Sequence, residues 1–132
     1  IPKSYFEKGD PYHCHCQKTT RLVREKMGWT EDFIRTTFQS RFGPQEWLQP
    51  YTDKTLEALP GEGVKKVAVA APAFISDCLE TLEEIAMQGR DSFIEAGGES
   101  FASLPCLNDS TPAIDLLETL VKRELGGWIY KF

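Results

Sequence analysis

The sequence predicts an α/β fold, a doubly wound parallel sheet flanked by helices, and three observations carry that expectation. Runs rich in β-branched, aromatic or small apolar residues alternate with runs of helical periodicity. The helical runs open on capping residues, two of them followed by proline, and three of them close on glycine. The connections between runs are short, as in parallel strands joined by crossover helices. A doubly wound unit begins with a strand, whereas the first element here is a helix. The missing first strand is therefore expected upstream of Ile1.

Asp10-Pro11 places a capping residue before a proline at the first helical position, and Gly28 follows Met27 as a left-handed stop, so residues 11–27 read as a helix. Cys16, Thr19, Val23 and Met27 recur at helical spacing as its expected buried stripe, leaving Lys18, Arg21, Arg24 and Glu25 in water. Residues 33–38, Phe-Ile-Arg-Thr-Thr-Phe, read as a strand. Two prolines keep residues 43–50 irregular, a loop that carries Trp47. Thr52 is expected to cap a short helix through Leu59, ended by Pro60-Gly61-Glu62-Gly63. Residues 64–74 are small and apolar, as in a strand covered on both faces, with Pro72 ending its ladder. A helix follows from Asp77 to about Ala96, with Leu79, Leu82, Ala86 and Phe93 on its inner side and Gly97-Gly98 as its stop. Residues 101–107 form the next strand. Thr111-Pro112 then caps a last helix whose Ile114, Leu117, Leu120 and Val121 face inward, closed by Gly126-Gly127.

Nothing in the 132 residues marks a linker or a repeat, so residues 1–132 are read as one domain. Lys and Arg number 15 against 20 Asp and Glu, a net charge of −5, which argues against nucleic acid as a partner. No apolar stretch approaches the length that spans a bilayer. A domain of this size buries enough surface to fold without cross-links, so Cys14, Cys16, Cys78 and Cys106 are read as free thiols in a reducing, cytoplasmic setting. The chain lacks an initiating Met and opens as if within a loop. It reads as a C-terminal piece of a longer protein.

Ligands of open parallel sheets sit beyond the carboxyl ends of the strands, which directs attention to residues 39–48, 72–84 and 108–110. These segments carry aromatics, the Arg41 guanidinium and several carboxylates. Glu80 and Glu84 lie four apart on one helix face, with Gln88 one turn on. Like charges at that spacing repel unless a cation or a proton compensates. A capping explanation competes, because Asp77-Cys78-Leu79-Glu80 has the pattern of a capping box. His13-Cys14-His15-Cys16 cannot converge on one ion, since successive helical residues point about 100° apart, and no second ligand pair exists. Trp47 and Phe74 are either packing residues or walls for a flat apolar ligand. Arg41 either pairs with Glu46 or anchors a carboxylate.

The rim segments resemble the bacterial ferrochelatases, enzymes that insert ferrous iron into a porphyrin. The likeness runs through Gly9-Asp10-Pro11-Tyr12, Phe38-Gln39-Ser40-Arg41-Phe42-Gly43-Pro44, Trp47-Leu48-Gln49-Pro50-Tyr51-Thr52-Asp53 and Ser76-Asp77-Cys78-Leu79-Glu80-Thr81-Leu82, and reaches about Leu125. It implies the C-terminal half of a two-domain enzyme, with the N-terminal domain of the same protein as its partner. Ile1-Pro2 matches the pair that follows the family's essential histidine, which would then precede residue 1. Glu80 matches the catalytic glutamate that faces this histidine, and Glu84 the next acid of a row thought to handle metal or protons. Both are catalytic and metal-contacting candidates. Gln88 departs from that row as it stands in some relatives, and Cys78 takes the place where others have histidine. Trp47, Phe74, Arg41 and Ser40 are the substrate-binding candidates of the cleft.

The implied activity is protoheme synthesis from protoporphyrin IX, with ferrous iron as substrate and no permanently bound cofactor. Some members hold a [2Fe-2S] cluster on cysteines near the C-terminus; no cysteine follows Cys106, so none is expected here. A cobalt or sirohydrochlorin chelatase and a non-catalytic tetrapyrrole-binding fragment are the alternatives. The closing segment from Gly126 to Phe132 has three aromatics and is read as a packed C-terminus or as a peripheral membrane contact.

Overall fold

A computed structural model describes residues 1–128. In chain order it contains helices α1 (Lys3–Glu7) and α2 (Tyr12–Met27), a 3-10 turn at Glu31–Phe33, helix α3 (Thr52–Ala58) and strand β1 (Lys66–Val69). A π-helical segment (Glu80–Gly89) then continues directly into α4 (Arg90–Glu95), followed by β2 (Ser100–Ser103) and α5 (Thr111–Glu124). The strands pair in parallel, Val67 opposite Phe101 and Val69 opposite Ser103, so their carboxyl ends share one edge. The expected α/β class with a parallel sheet and flanking helices is thus observed, as a sheet of two strands among the described residues.

The core sits between the sheet and two helices. Leu56 and Leu59 from and after α3 pack with Phe93 of α4, which is 0% exposed, and Val64, Val67, Val69 and Phe101 close on them. Gly98 lets the chain turn over that ring: a Cβ there would lie 2.2 Å from Cε1 of Phe93. The stop at Gly97-Gly98 forms as expected, with Gly97 at φ 98° and the Gly98 N–H on the Phe93 carbonyl at 2.9 Å.

Several expectations need correction. Residues 33–38 do not form a strand; beyond the 3-10 turn they are held by a single parallel bridge from Phe38 to Tyr51, with the Thr20 and Thr36 hydroxyls 2.6 Å apart. In α2, Thr19, Val23 and Met27 are exposed, and the half-buried side is Tyr12, His13, Cys16, Thr20 and Arg24. Arg24 leaves the wet face to pair with Glu31 at 2.7 Å. The His13 ring packs between Phe6 and Phe38, at centroid distances of 4.9 and 5.7 Å. β1 is covered on one face only, since Lys66 and Ala68 are exposed. In α5 only Ala113 is buried, while Ile114, Leu117 and Val121 are exposed. Thr52 is the first residue of α3 rather than its cap, and its hydroxyl donates to Thr37 at 2.9 Å. The closing aromatics from Ile129 on lie outside the described residues, and Trp128 before them is exposed.

Candidate functional site

The helix carrying Glu80 and Glu84 is wound more widely than an α-helix, and this decides which side chains it buries. A π-helix closes its bonds at i→i+5 and is favoured at functional sites. The buried positions are Thr81, Ile85, Gly89 and Phe93, spaced by four; of the expected inner row Phe93 is buried and Ala86 half-buried, while Leu79 and Leu82 are not. Of that row, Leu79 is 69% and Leu82 57% exposed. Gly89 permits the close approach of α3, since a Cβ there would meet Leu56 Cδ1 at 3.1 Å.

The expected capping box does not form. The Asp77 N–H donates to Asn108 Oδ1 at 2.9 Å rather than to Glu80. The Asp77 carboxylate takes the Thr81 hydroxyl at 2.9 Å and Asn108 Nδ2 at 2.8 Å, with no helix N–H among them. Asn108, Thr81 and the Cys106 backbone N–H together hold the Asp77 carboxyl below its ordinary value. Glu80 is therefore released from capping. The Cys78 thiol and the backbone N–H of Glu80 itself stabilise its carboxylate, lowering its pKa. Burial, followed by the nearby Asp77 carboxylate, pushes the Cys106 thiol up.

Glu84 is held from across the site. Gln39 Nε2 donates to its Oε2 at 2.7 Å and Ser40 Oγ at 2.9 Å. Ser40 reaches it from a left-handed backbone, φ 64°, a conformation that L residues rarely adopt. These groups border a cavity of about 500 Å³ whose wall includes Ser40, Arg41, Asp53, Leu79, Glu83 and Glu84. Arg41 is the cation of that wall; it pairs with Asp53, not with the expected Glu46, and lies 4.1 Å from the Tyr51 ring centroid. Glu46 is bound instead by Lys3 at 3.3 Å. The cavity wall thus carries more carboxylates than cations.

The cleft candidates are not all brought together. Ser40, Arg41 and Glu84 line the cavity, while Glu80, Trp47 and Phe74 stand outside its wall. Trp47 donates from Nε1 to the Phe42 carbonyl at 2.9 Å and borders a second hollow of about 260 Å³ with Phe6 and His13. Phe74 is half-buried in the loop after β1. Sequence reasoning missed Gln39 and Asn108 as partners of the acidic helix; their positions in the segments expected to line the ligand edge were the available signal. Among the described residues, no group of three or more His, Cys, Asp and Glu side chains is arranged to hold a metal ion. No helix among them is long and apolar enough to cross a membrane.

A sequence model of the family described as Ferrochelatase matches residues 1–125. The chain belongs to the ferrochelatase family. It is 65% identical over 129 residues to a ferrochelatase of Rhizobium meliloti (strain 1021), covering 98% of this chain and 38% of that relative. A ferrochelatase of Agrobacterium fabrum (strain C58 / ATCC 33970) is 63% identical with the same coverage. One from Mesorhizobium japonicum (strain LMG 29417 / CECT 9101 / MAFF 303099) is 57% identical, with 98% of this chain and 36% of the relative covered. The chain therefore spans well under half the length of these curated ferrochelatases.

Proposed function

We propose that this chain is the C-terminal half of a two-domain ferrochelatase and supplies the carboxylate side of the site where ferrous iron enters protoporphyrin IX to give protoheme. The observation that carries the reading is Glu80, which stands one helical turn from Glu84 and is excused from capping, in a chain of the ferrochelatase family. Insertion exchanges one Fe²⁺ for the two pyrrole N–H protons, so the site must release water from the metal and accept protons. Glu80, a carboxylate ionised at neutral pH, is the proton acceptor or metal ligand. Glu84, oriented by Gln39 and Ser40, is the next carboxylate along the row. Two carboxylates suit an ion in transit better than a resident one, and ferrous iron accepts oxygen as well as imidazole ligands.

Arg41 and Ser40 on the cavity wall are the polar contacts for the porphyrin, and Trp47 and Phe74 its aromatic contacts. In the family pattern the opposing histidine directly precedes the pair matched by Ile1-Pro2 and the N-terminal domain closes the cleft, so the chain alone is inactive. The free thiols support a cytoplasmic enzyme. The relatives' shared name gives no support to a cobalt or sirohydrochlorin substrate.

The test is ferrous-iron insertion into protoporphyrin IX, followed by absorbance, with this chain alone and joined to the rest of its reading frame. Activity is expected only in the joined protein, and Glu80→Gln there lowers turnover by at least about a hundredfold, the scale of lost general-base catalysis. Near-normal turnover of Glu80→Gln sinks the assignment. Trp47→Ala and Phe74→Ala are expected to raise the porphyrin KM more than they lower kcat, which unchanged KM values would contradict.

A further inference from the structure

The segment after β2 turns at Asn108, a non-glycine residue at φ 50°. Backbone in this region is strained for an L residue and persists where surrounding contacts hold it. Here those contacts converge on the start of the acidic helix. Asn108 Oδ1 accepts the Asp77 N–H at 2.9 Å, and Asn108 Nδ2 donates to Asp77 Oδ2 at 2.8 Å and to the Cys106 carbonyl at 3.1 Å. Its own N–H donates to the Ile75 carbonyl at 2.8 Å, so the loop after β1 and the loop after β2 are clasped in both directions.

The clasp continues into the helix. The second oxygen of Asp77 takes the Thr81 hydroxyl at 2.9 Å and the Cys106 N–H at 3.3 Å. Thr81 is 4% exposed, stands next to Glu80, and accepts the Cys78 N–H at 3.0 Å. Residues 77, 78 and 81 are thereby fixed around Glu80, whose side chain takes no part in the clasp. We propose that Asn108 is a positioning residue: its carboxamide clasps Asp77 and so sets the place and direction of the Glu80 carboxylate. The proposal rests on the ferrochelatase reading above.

The decisive variant is Asn108→Gly in the full-length enzyme, because glycine adopts the same left-handed backbone without strain and only the carboxamide is lost. Turnover of ferrous iron with protoporphyrin IX is expected to fall between about tenfold and a hundredfold, as when a reacting group is misplaced by about 1 Å. The porphyrin KM is expected to stay within about twofold of the wild type, since Asn108 does not border the cavity. The reciprocal pair Asp77→Asn with Asn108→Asp rebuilds a carboxylate–carboxamide clasp with its sense reversed and is expected to recover turnover well above that of Asn108→Gly. Turnover of Asn108→Gly within about twofold of the wild type overturns the proposal, as does a matching loss of porphyrin affinity. Should Asn108→Gly fail to fold, the reciprocal pair decides, and turnover more than about a hundredfold below the wild type counts against positioning. Absence of insertion by the wild-type enzyme instead removes the ferrochelatase reading itself.

Discussion

Glu80 and Glu84 show how far single residues can be read. Their shared helix face follows from spacing, but spacing could not choose between capping and chemistry. The capping-box contact is excluded by Asn108, distant in sequence, which occupies the Asp77 N–H that a capping glutamate would use. Arg41 has the same lesson: Glu46 and Asp53 are both within reach in sequence, and the folded chain brings Asp53. At this scale Gly98 is the sharpest test of packing. Gly98→Ala would push a Cβ into the fully buried Phe93 ring and is expected to destabilise the full-length protein by about 1–3 kcal/mol, the range for an overpacked core. An unchanged urea midpoint would show that the ring can move aside.

The clasp between the two loops that follow β1 and β2 is a property of elements, and it has a pH signature. Asp77 is held below its ordinary value of 3.8 by Asn108, Thr81 and the Cys106 N–H, so its ionised form stabilises the folded state. That contribution is complete above the ordinary value and is lost as pH falls through the lowered one. Asp77→Asn is therefore expected to melt below the wild type at neutral pH, with the gap closing as pH drops below 3.8. A gap that stays constant through that range would mean the ionised form has no special role. The helix itself was legible in position and extent, since Gly97-Gly98 stops it as expected. Its inner row was legible at Phe93 but not at Leu79 and Leu82, because a 3.6-residue period was assumed where π winding buries every fourth residue. Residues 33–38 failed as a strand because β propensity expresses a fit to neighbouring strands, and only one bridge, to Tyr51, is available there.

Across the whole molecule, the apolar faces outnumber their described partners. Leu22, Val23 and Met27 of α2 and Ile114, Leu116, Leu117 and Val121 of α5 are exposed, and the chain spans 38% of the length of its Rhizobium meliloti relative. Exposed apolar patches beyond a few hundred Å² mark interaction surfaces. The chain produced alone is accordingly expected to bind an apolar dye such as ANS strongly and to lose most of that signal when joined to the rest of its reading frame. Equal dye binding per molecule in both forms would mean that these faces are open in the longer protein as well.

The amino-acid order by itself determined the α/β class, the ends of most helices, the acidic row on the helix after β1 and the family to which the chain belongs. These depend on local chemistry: glycine and proline as punctuation, periodic apolar residues, and motifs contiguous along the chain. Tertiary structure alone decided that Asn108 frees Glu80, that Gln39 and Ser40 hold Glu84, and that Arg41 turns to Asp53. Each of these joins groups between 12 and 45 positions apart. Hydrogen-bonding residues of this kind accept many partners, and only the packed chain selects one.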